Sequence, residues 1–192
     1  MGVLNRREVV AKLLTDRGED LLVVPGLGQS CYDCCAAGDD PRTFYLWGAM
    51  GGAVPLAIGL AVAQPEKRVL VITGDGELLM GLGSLTAAAA EGLPNLAICV
   101  LDNERYGETG QQKTVTGRGT DLTAIAAGAG FPTAKLVTDE SGVAEGVRIC
   151  REEPGPVFVN FKVSDAQDAS ALPPKDGAYL KNRFREAVLG KI

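Results

Sequence analysis

Residues 69–106 read VLVITGDGELLMGLGSLTAAAAEGLPNLAICVLDNERY, and the alternation inside this stretch decides the fold. An apolar run, Val69 to Thr73, ends in Gly74-Asp75-Gly76. A segment of helical length and composition follows, from Glu77 to Glu91, and a second apolar run, Leu96 to Leu101, ends in Asp102-Asn103. Both runs are nearly continuous in hydrophobicity, the pattern of strands buried on both faces of a parallel sheet. Ligands of open α/β sheets bind outside the carboxyl ends of the strands, which is where Asp75 and Asn103 fall. Gly74 and Gly76 allow a tight turn, and the first N–H groups of the next helix can face an anion. A diphosphate beside a carboxylate needs a bridging cation; Mg2+ takes one or two carboxylates plus phosphate oxygens. Asp75 and the Asn103 amide oxygen are donors of that kind.

The same rhythm extends outward in both directions. Further strand-length apolar runs are Leu21 to Val24, Phe44 to Trp47, Lys135 to Thr138 and Val157 to Val163, and helical segments are Arg6 to Asp16 (closed by Gly18), Gly52 to Ala63, Leu122 to Ala129 and Gly142 to Arg151. Alternating strands and helices predict an α/β fold: a doubly wound, mostly parallel six-stranded sheet with helices on both faces. Asn103 to Thr120 is polar and glycine-rich, so it is either disordered or a functional loop over a ligand. One domain over residues 1–192 is expected, with a C-terminal tail from 164 to 192 whose Tyr179 to Leu189 reads as a helix.

Composition narrows the chemistry. The 192 residues carry 19 Lys plus Arg against 24 Asp plus Glu, a net charge of -5, with no Lys/Arg run. Nucleic acid is therefore not an expected partner. There is no histidine, which removes Ser-His-Asp and Cys-His systems and histidine metal sites. Chemistry must come from carboxylates, backbone dipoles or a cofactor. Five cysteines, Cys31, Cys34, Cys35, Cys99 and Cys150, suit a reducing cytoplasm rather than a disulfide framework. Met1 to Val10 does not read as a signal peptide, and the longest apolar stretch, Ala53 to Ala63, is too short to span a bilayer, so no membrane partner is expected.

Gly76 and Asn103 are separated by 26 residues, room for one helix and one strand. In residues, spacing and context together, this segment resembles the thiamine diphosphate enzymes, whose signature is GDG, some two dozen residues, then Asn. The resemblance makes Asp75, the Asn103 side chain and the Arg105 carbonyl ligands of Mg2+. It lines the diphosphate with Gly74, Gly76, Glu77, Tyr106 and Gly107. Glu77 stands where the family commonly has a small hydroxyl residue; its carboxylate would have to turn away from phosphate. Trp47-Gly48-Ala49-Met50-Gly51 resembles the segment at the cofactor's other end, with the Gly48 carbonyl accepting from the pyrimidine amino group and Met50 as the wedge that bends the cofactor.

Within the superfamily, FYLWGAMGGAVPLAIGLAVA, ITGDGELLMGLGSL, LPNLAICVLDNERYGETGQQ and YLKNRFREAVL are similar to the decarboxylases of sulfopyruvate and phosphonopyruvate. The likeness implies a thiamine diphosphate- and Mg2+-dependent lyase acting on a small anionic 2-oxo acid, with Glu108, Thr109 and Gln111 as candidate substrate contacts. Arg105 and Arg118 are further candidates for attracting the anion. In this family the activating glutamate belongs to a pyrimidine-binding domain for which this chain has no room. A pyrimidine-domain α subunit and a hetero-oligomer are therefore expected. Two alternatives stand beside this reading. Cys31-x-x-Cys34-Cys35 invites comparison with the β subunit of 2-oxoacid:ferredoxin oxidoreductases, and Glu77 with the divergent Gly28 to Asp39 segment allows a noncatalytic cofactor-binding subunit.

Overall fold

The computed structural model describes residues 4–190; residues 1–3 and 191–192, the ends of the expected domain, lie outside the described residues. Strands β1 (Leu21–Pro25), β2 (Arg68–Gly74), β3 (Leu96–Asp102), β6 (Thr133–Val137) and β7 (Val157–Lys162) form a parallel five-stranded sheet in the order β1-β2-β3-β7-β6. β4 (Arg105–Tyr106) and β5 (Gln112–Lys113) make a separate antiparallel pair.

Alternate residues of each central strand feed two cores. Val23, Leu70, Ile72, Cys99 and Leu101 pack with α1 (Arg6–Leu14), α2 (Gln29–Ala36) and α7 (Val143–Glu152). Val24, Val69, Val71, Ile98 and Val100 pack with α3 (Ala53–Ala63), α4 (Asp75–Met80), α5 (Ser84–Glu91) and α6 (Leu122–Ala129). The sheet is thus buried on both faces, which is why β3 has seven buried residues in succession. Crossovers between parallel strands are right-handed. The chain steps from β2 to β3 and on to the far edge at β6 through α5 and α6 on one face. It then returns to β7, and the reversal sends α7 to the other face. The strand order turns back at the β3–β7 junction, beside the carboxyl ends that build the site.

Two expectations are corrected. Phe44 to Trp47 is not a sixth strand: it runs along β1 through Phe44 N–H to Val23 O and Leu46 N–H to Pro25 O, with a single β-bridge at Thr43. Pro25 has no N–H to donate back, so the ladder cannot continue. The outer side of this segment is covered by α8 (Gly177–Leu189), whose Phe184 meets Phe44 edge-on with ring centroids 5.4 Å apart. The segment from Glu77 to Glu91 is not one helix but two, α4 and α5, broken across Gly81 to Gly83. Boundaries shift elsewhere by a few residues: α1 ends at Leu14 rather than near Gly18, and the strand expected at Lys135 to Thr138 is β6, Thr133–Val137. No helix among the described residues is long and apolar enough to cross a membrane.

α1 is clamped to α2 by charge. Asp33 is fully buried and accepts from both Arg6 and Arg7. Removing one partner of a buried pair leaves an uncompensated charge. Asp33→Ala is therefore expected to lower stability by about 3–5 kcal/mol in urea unfolding. Lys12→Ala, which breaks the exposed Lys12–Glu140 pair, should cost less than about 1 kcal/mol.

Candidate functional site

A cavity of ≈ 180 Å³ opens at the carboxyl ends of β1, β2 and β3. It brings together Met50, Gly74, Asp75, Gly76, Glu77, Asn103, Arg105, Tyr106, Gly107, Glu108 and Thr109. Gly48 and Gln111 are not part of its lining: Gly48 is exposed two residues before Met50, and Gln111 donates its N–H to the Tyr106 carbonyl at positive φ. Arg118 is exposed in a 3-10 turn, Thr116–Arg118, and does not line the cavity either. The Arg105 side chain turns to Asp165, 3.5 Å away.

Asp75 begins α4 directly after β2 and is 1% exposed. Its Oδ2 accepts from Thr114 Oγ1 at 2.6 Å and from Thr116 Oγ1 at 2.9 Å, while Oδ1 receives no side-chain donor. Burial pushes the Asp75 carboxyl up to about 6, with the neighbouring Asp102 adding to the rise and the two threonines opposing it. Both threonines come from the Asn103 to Thr120 segment. That segment is ordered: β4 and β5 pair, and Thr114 N–H donates to Glu104 O. The hairpin thereby carries Asn103 and Arg105 to the same cavity, with Asn103 Oδ1 accepting the Arg105 N–H at 3.0 Å and a second lone pair left over.

This donor set suits a Mg2+-bridged diphosphate. One carboxylate oxygen free of side-chain donors, one amide oxygen and a backbone carbonyl are hard oxygen ligands, and phosphate oxygens would complete the shell. A divalent cation also supplies the positive charge that a buried, desolvated Asp75 lacks.

Glu77 lines the cavity, but its carboxylate is committed elsewhere. Oε1 accepts from Gly51 N–H at 2.9 Å and Ala53 N–H at 3.3 Å, and Oε2 accepts from the Thr73 hydroxyl. The carboxylate thus caps the first turn of α3 and ties α4 to the loop that carries Met50. Burial raises its pKa and these three donors oppose the rise. Gly51 and Gly81 approach so closely that a Cβ on Gly81 would collide with the Gly51 carbonyl oxygen. The break between α4 and α5 falls on Gly81-Leu82-Gly83, whose two glycines are poor helix formers that also permit this approach, and Met50, 41% exposed, stands at the cavity rim.

Sequence reasoning missed a second group of lining residues: Arg6, Leu27, Gln29 and Ser30. Gly28 (φ 76) turns the chain from β1 into α2, an end with no side-chain cap, and Gln29 and Ser30 open that helix beside the cavity. The signal was Gly26-x-Gly28 at the carboxyl end of the first strand. Arg6 reaches the cavity from α1, held by Asp33 and by Gln29 Oε1 at 2.5 Å, a placement no local pattern announces.

The cysteines do not form a cluster site. Cys31 is buried with its thiol on the Gly26 carbonyl and pushed by burial up to about 12; Cys34 is in the core; Cys35 faces Tyr45 and Asp39. Among the described residues no three His, Cys, Asp or Glu side chains gather as metal ligands. An Fe-S cluster, which wants several thiolates, has no support in this arrangement. A one-carboxylate Mg2+ site is of a different kind.

A family model described as thiamine pyrophosphate enzyme, C-terminal TPP binding domain, matches residues 28–161. The chain is 34% identical to the sulfopyruvate decarboxylase subunit beta of Methanocaldococcus jannaschii, over 95% of this chain and 96% of that one. It is 32% identical to a phosphonopyruvate decarboxylase of Streptomyces viridochromogenes, over 95% of this chain but 46% of that protein. A solved Mycobacterium smegmatis structure, described as thiamin diphosphate-dependent, shares the fold with TM-score 0.71 at 22% identity, covering 85% of this chain and 32% of the other.

Because the Asp75 pKa is raised from 3.8 to about 6, its contribution favours folding below about pH 4 and is lost as pH rises through about 6. Asp75→Asn is therefore expected to stabilise the ligand-free chain at pH 7, by up to about 3 kcal/mol, with the difference vanishing near pH 4. Urea unfolding across pH 4–7 reads this directly.

Proposed function

The chain belongs to the thiamine pyrophosphate enzymes, through its match to their C-terminal TPP binding domain, and from that premise we propose that it binds the diphosphate end of the cofactor as the β subunit of a sulfopyruvate decarboxylase. The observation that carries the reading is the convergence of Asp75, Asn103 and Arg105 in one cavity, in a chain that matches such a β subunit over 95% of its own length and 96% of that subunit's. In this proposal the enzyme converts sulfopyruvate to sulfoacetaldehyde and CO2. Phosphonopyruvate is the second candidate substrate, favoured by the match to half of a phosphonopyruvate decarboxylase.

Each residue has a task of its own in this reading. Asp75, the Asn103 amide and the Arg105 carbonyl would hold Mg2+. Gly74, Gly76, Tyr106 and Gly107 line the diphosphate, joined by Gln29 and Ser30 at the open end of α2, where unbonded N–H groups attract anions. Met50 would support the cofactor from the rim, and the Gly48 carbonyl, just outside the lining, would accept from its pyrimidine amino group. Glu77 keeps its charge off the phosphates by capping α3, and so fixes the rim loop relative to the diphosphate site. Glu108 and Thr109 face the cavity from the hairpin turn, and Gln111 supports that turn from behind. The bound cofactor supplies the electron sink for loss of CO2.

The active site is completed by a pyrimidine-domain α subunit, and the pair forms a hetero-oligomer in the cytoplasm. Two lines of support are the phosphonopyruvate decarboxylase, in which a region like this chain makes up under half of the protein, and the five free cysteines. Co-expression with a candidate α subunit tests the reading. The purified pair should release CO2 from sulfopyruvate only with thiamine diphosphate and Mg2+, and Asp75→Ala should reduce that rate by at least about a hundredfold. This chain alone should show no turnover. Full activity without a partner, or none on either acid with one, would contradict the proposal.

A further inference from the structure

Asp75 is one member of a buried polar chain that continues beyond the residues assigned to the cofactor. Thr116 Oγ1, which contacts Asp75 Oδ2, also lies 2.9 Å from Asp102 Oδ1 and 2.7 Å from Thr114 Oγ1. Asp102 is the last residue of β3 and is 1% exposed. Its Oδ2 is paired with Lys162 Nζ at 2.9 Å and accepts from Asn160 Nδ2 at 3.2 Å, both residues on the neighbouring β7. Lys162 also reaches Glu104 at 2.8 Å.

A proton inventory shows what this arrangement does. Four oxygen–oxygen contacts, Asp75–Thr114, Asp75–Thr116, Thr114–Thr116 and Thr116–Asp102, share only the two hydroxyl protons of Thr114 and Thr116. Each hydroxyl donates once. Lys162 and Asn160 anchor Asp102 from the sheet, so Thr116 stands between two carboxylates, donating to Asp75 or to Asp102, while Thr114 donates to Asp75 Oδ2. The same hydroxyls join the two segments that supply the proposed cation ligands: Asp75 after β2, and Asn103 with Arg105 on the hairpin.

We propose that Asp102, Thr116 and Lys162 are positioning residues that hold the Asp75 carboxylate and the Asn103 hairpin in one preformed divalent-cation site. The inference rests on the diphosphate-binding reading above and extends it to residues that touch neither cation nor cofactor. Partners of metal ligands at this remove typically change metal affinity by 10–100-fold.

Mn2+ serves as the probe, titrated into the full-length chain purified with its co-expressed α subunit and saturating thiamine diphosphate, while electron paramagnetic resonance counts free Mn2+. Thr116→Val and Lys162→Met should each weaken Mn2+ binding by about tenfold or more, and Thr116→Ser, which keeps the hydroxyl, should stay within about twofold of wild type. Metal-free melting curves check folding; should Thr116→Val fail to fold, Lys162→Met and Thr116→Ser decide. Wild-type affinity in Lys162→Met, or a Thr116→Ser as weak as Thr116→Val, overturns the positioning role. If Asp75→Ala alone loses Mn2+, the diphosphate reading stands while the positioning role falls. If the wild-type chain binds no Mn2+, or Asp75→Ala binds it equally well, both fall.

Discussion

The Asp75 carboxylate sits where β2 becomes α4, shut away from water, with two threonine hydroxyls on one oxygen and no cationic side chain bonded to it. Much of the site follows from that placement. Thr114 and Thr116 can reach Asp75 only if the glycine-rich segment after β3 folds back as a hairpin, and the hairpin then presents Asn103, Arg105, Tyr106 and Gly107 to the same cavity. A desolvated carboxylate with its pKa displaced to about 6 is costly to a ligand-free chain at neutral pH. Such a cost is expected at a site organised around a cation that arrives with its ligand.

A second constraint operates at the other end of the cavity. Glu77, two residues along α4 from Asp75, turns its charge away from the cavity to cap α3, so one short helix both carries Asp75 and anchors the loop of Met50. The departure from a small hydroxyl residue at this position therefore acquires a structural role: it ties α4 to the loop that carries Met50. The chain's lack of histidine fits the proposed role, in which it binds, orients and shields a cofactor.

The sheet was legible because its strands are buried on both faces, so β2, β3 and β7 appear as uninterrupted apolar runs. The GDG to Asn spacing was legible because one helix and one strand consume a fixed length of chain. What local pattern did not reveal depends on distant partners. Phe44 to Trp47 has strand composition, yet the absent N–H of Pro25, some twenty residues earlier, ends its ladder. Order in the 103–120 segment follows from two hydroxyls meeting Asp75. Arg6 reaches the cavity only because Asp33 clamps α1 onto α2. In each case a contact across the fold overrides what the neighbouring residues favour.

Anomalous diffraction from crystals of this chain grown with thiamine diphosphate and Mn2+ would test the central claim most directly. The account places one Mn2+ peak within bonding distance of the Asp75 carboxylate, the Asn103 amide oxygen and the Arg105 carbonyl, with the diphosphate completing its shell. A Mn2+ peak away from Asp75, or a bound diphosphate with no metal between it and Asp75, would contradict the account.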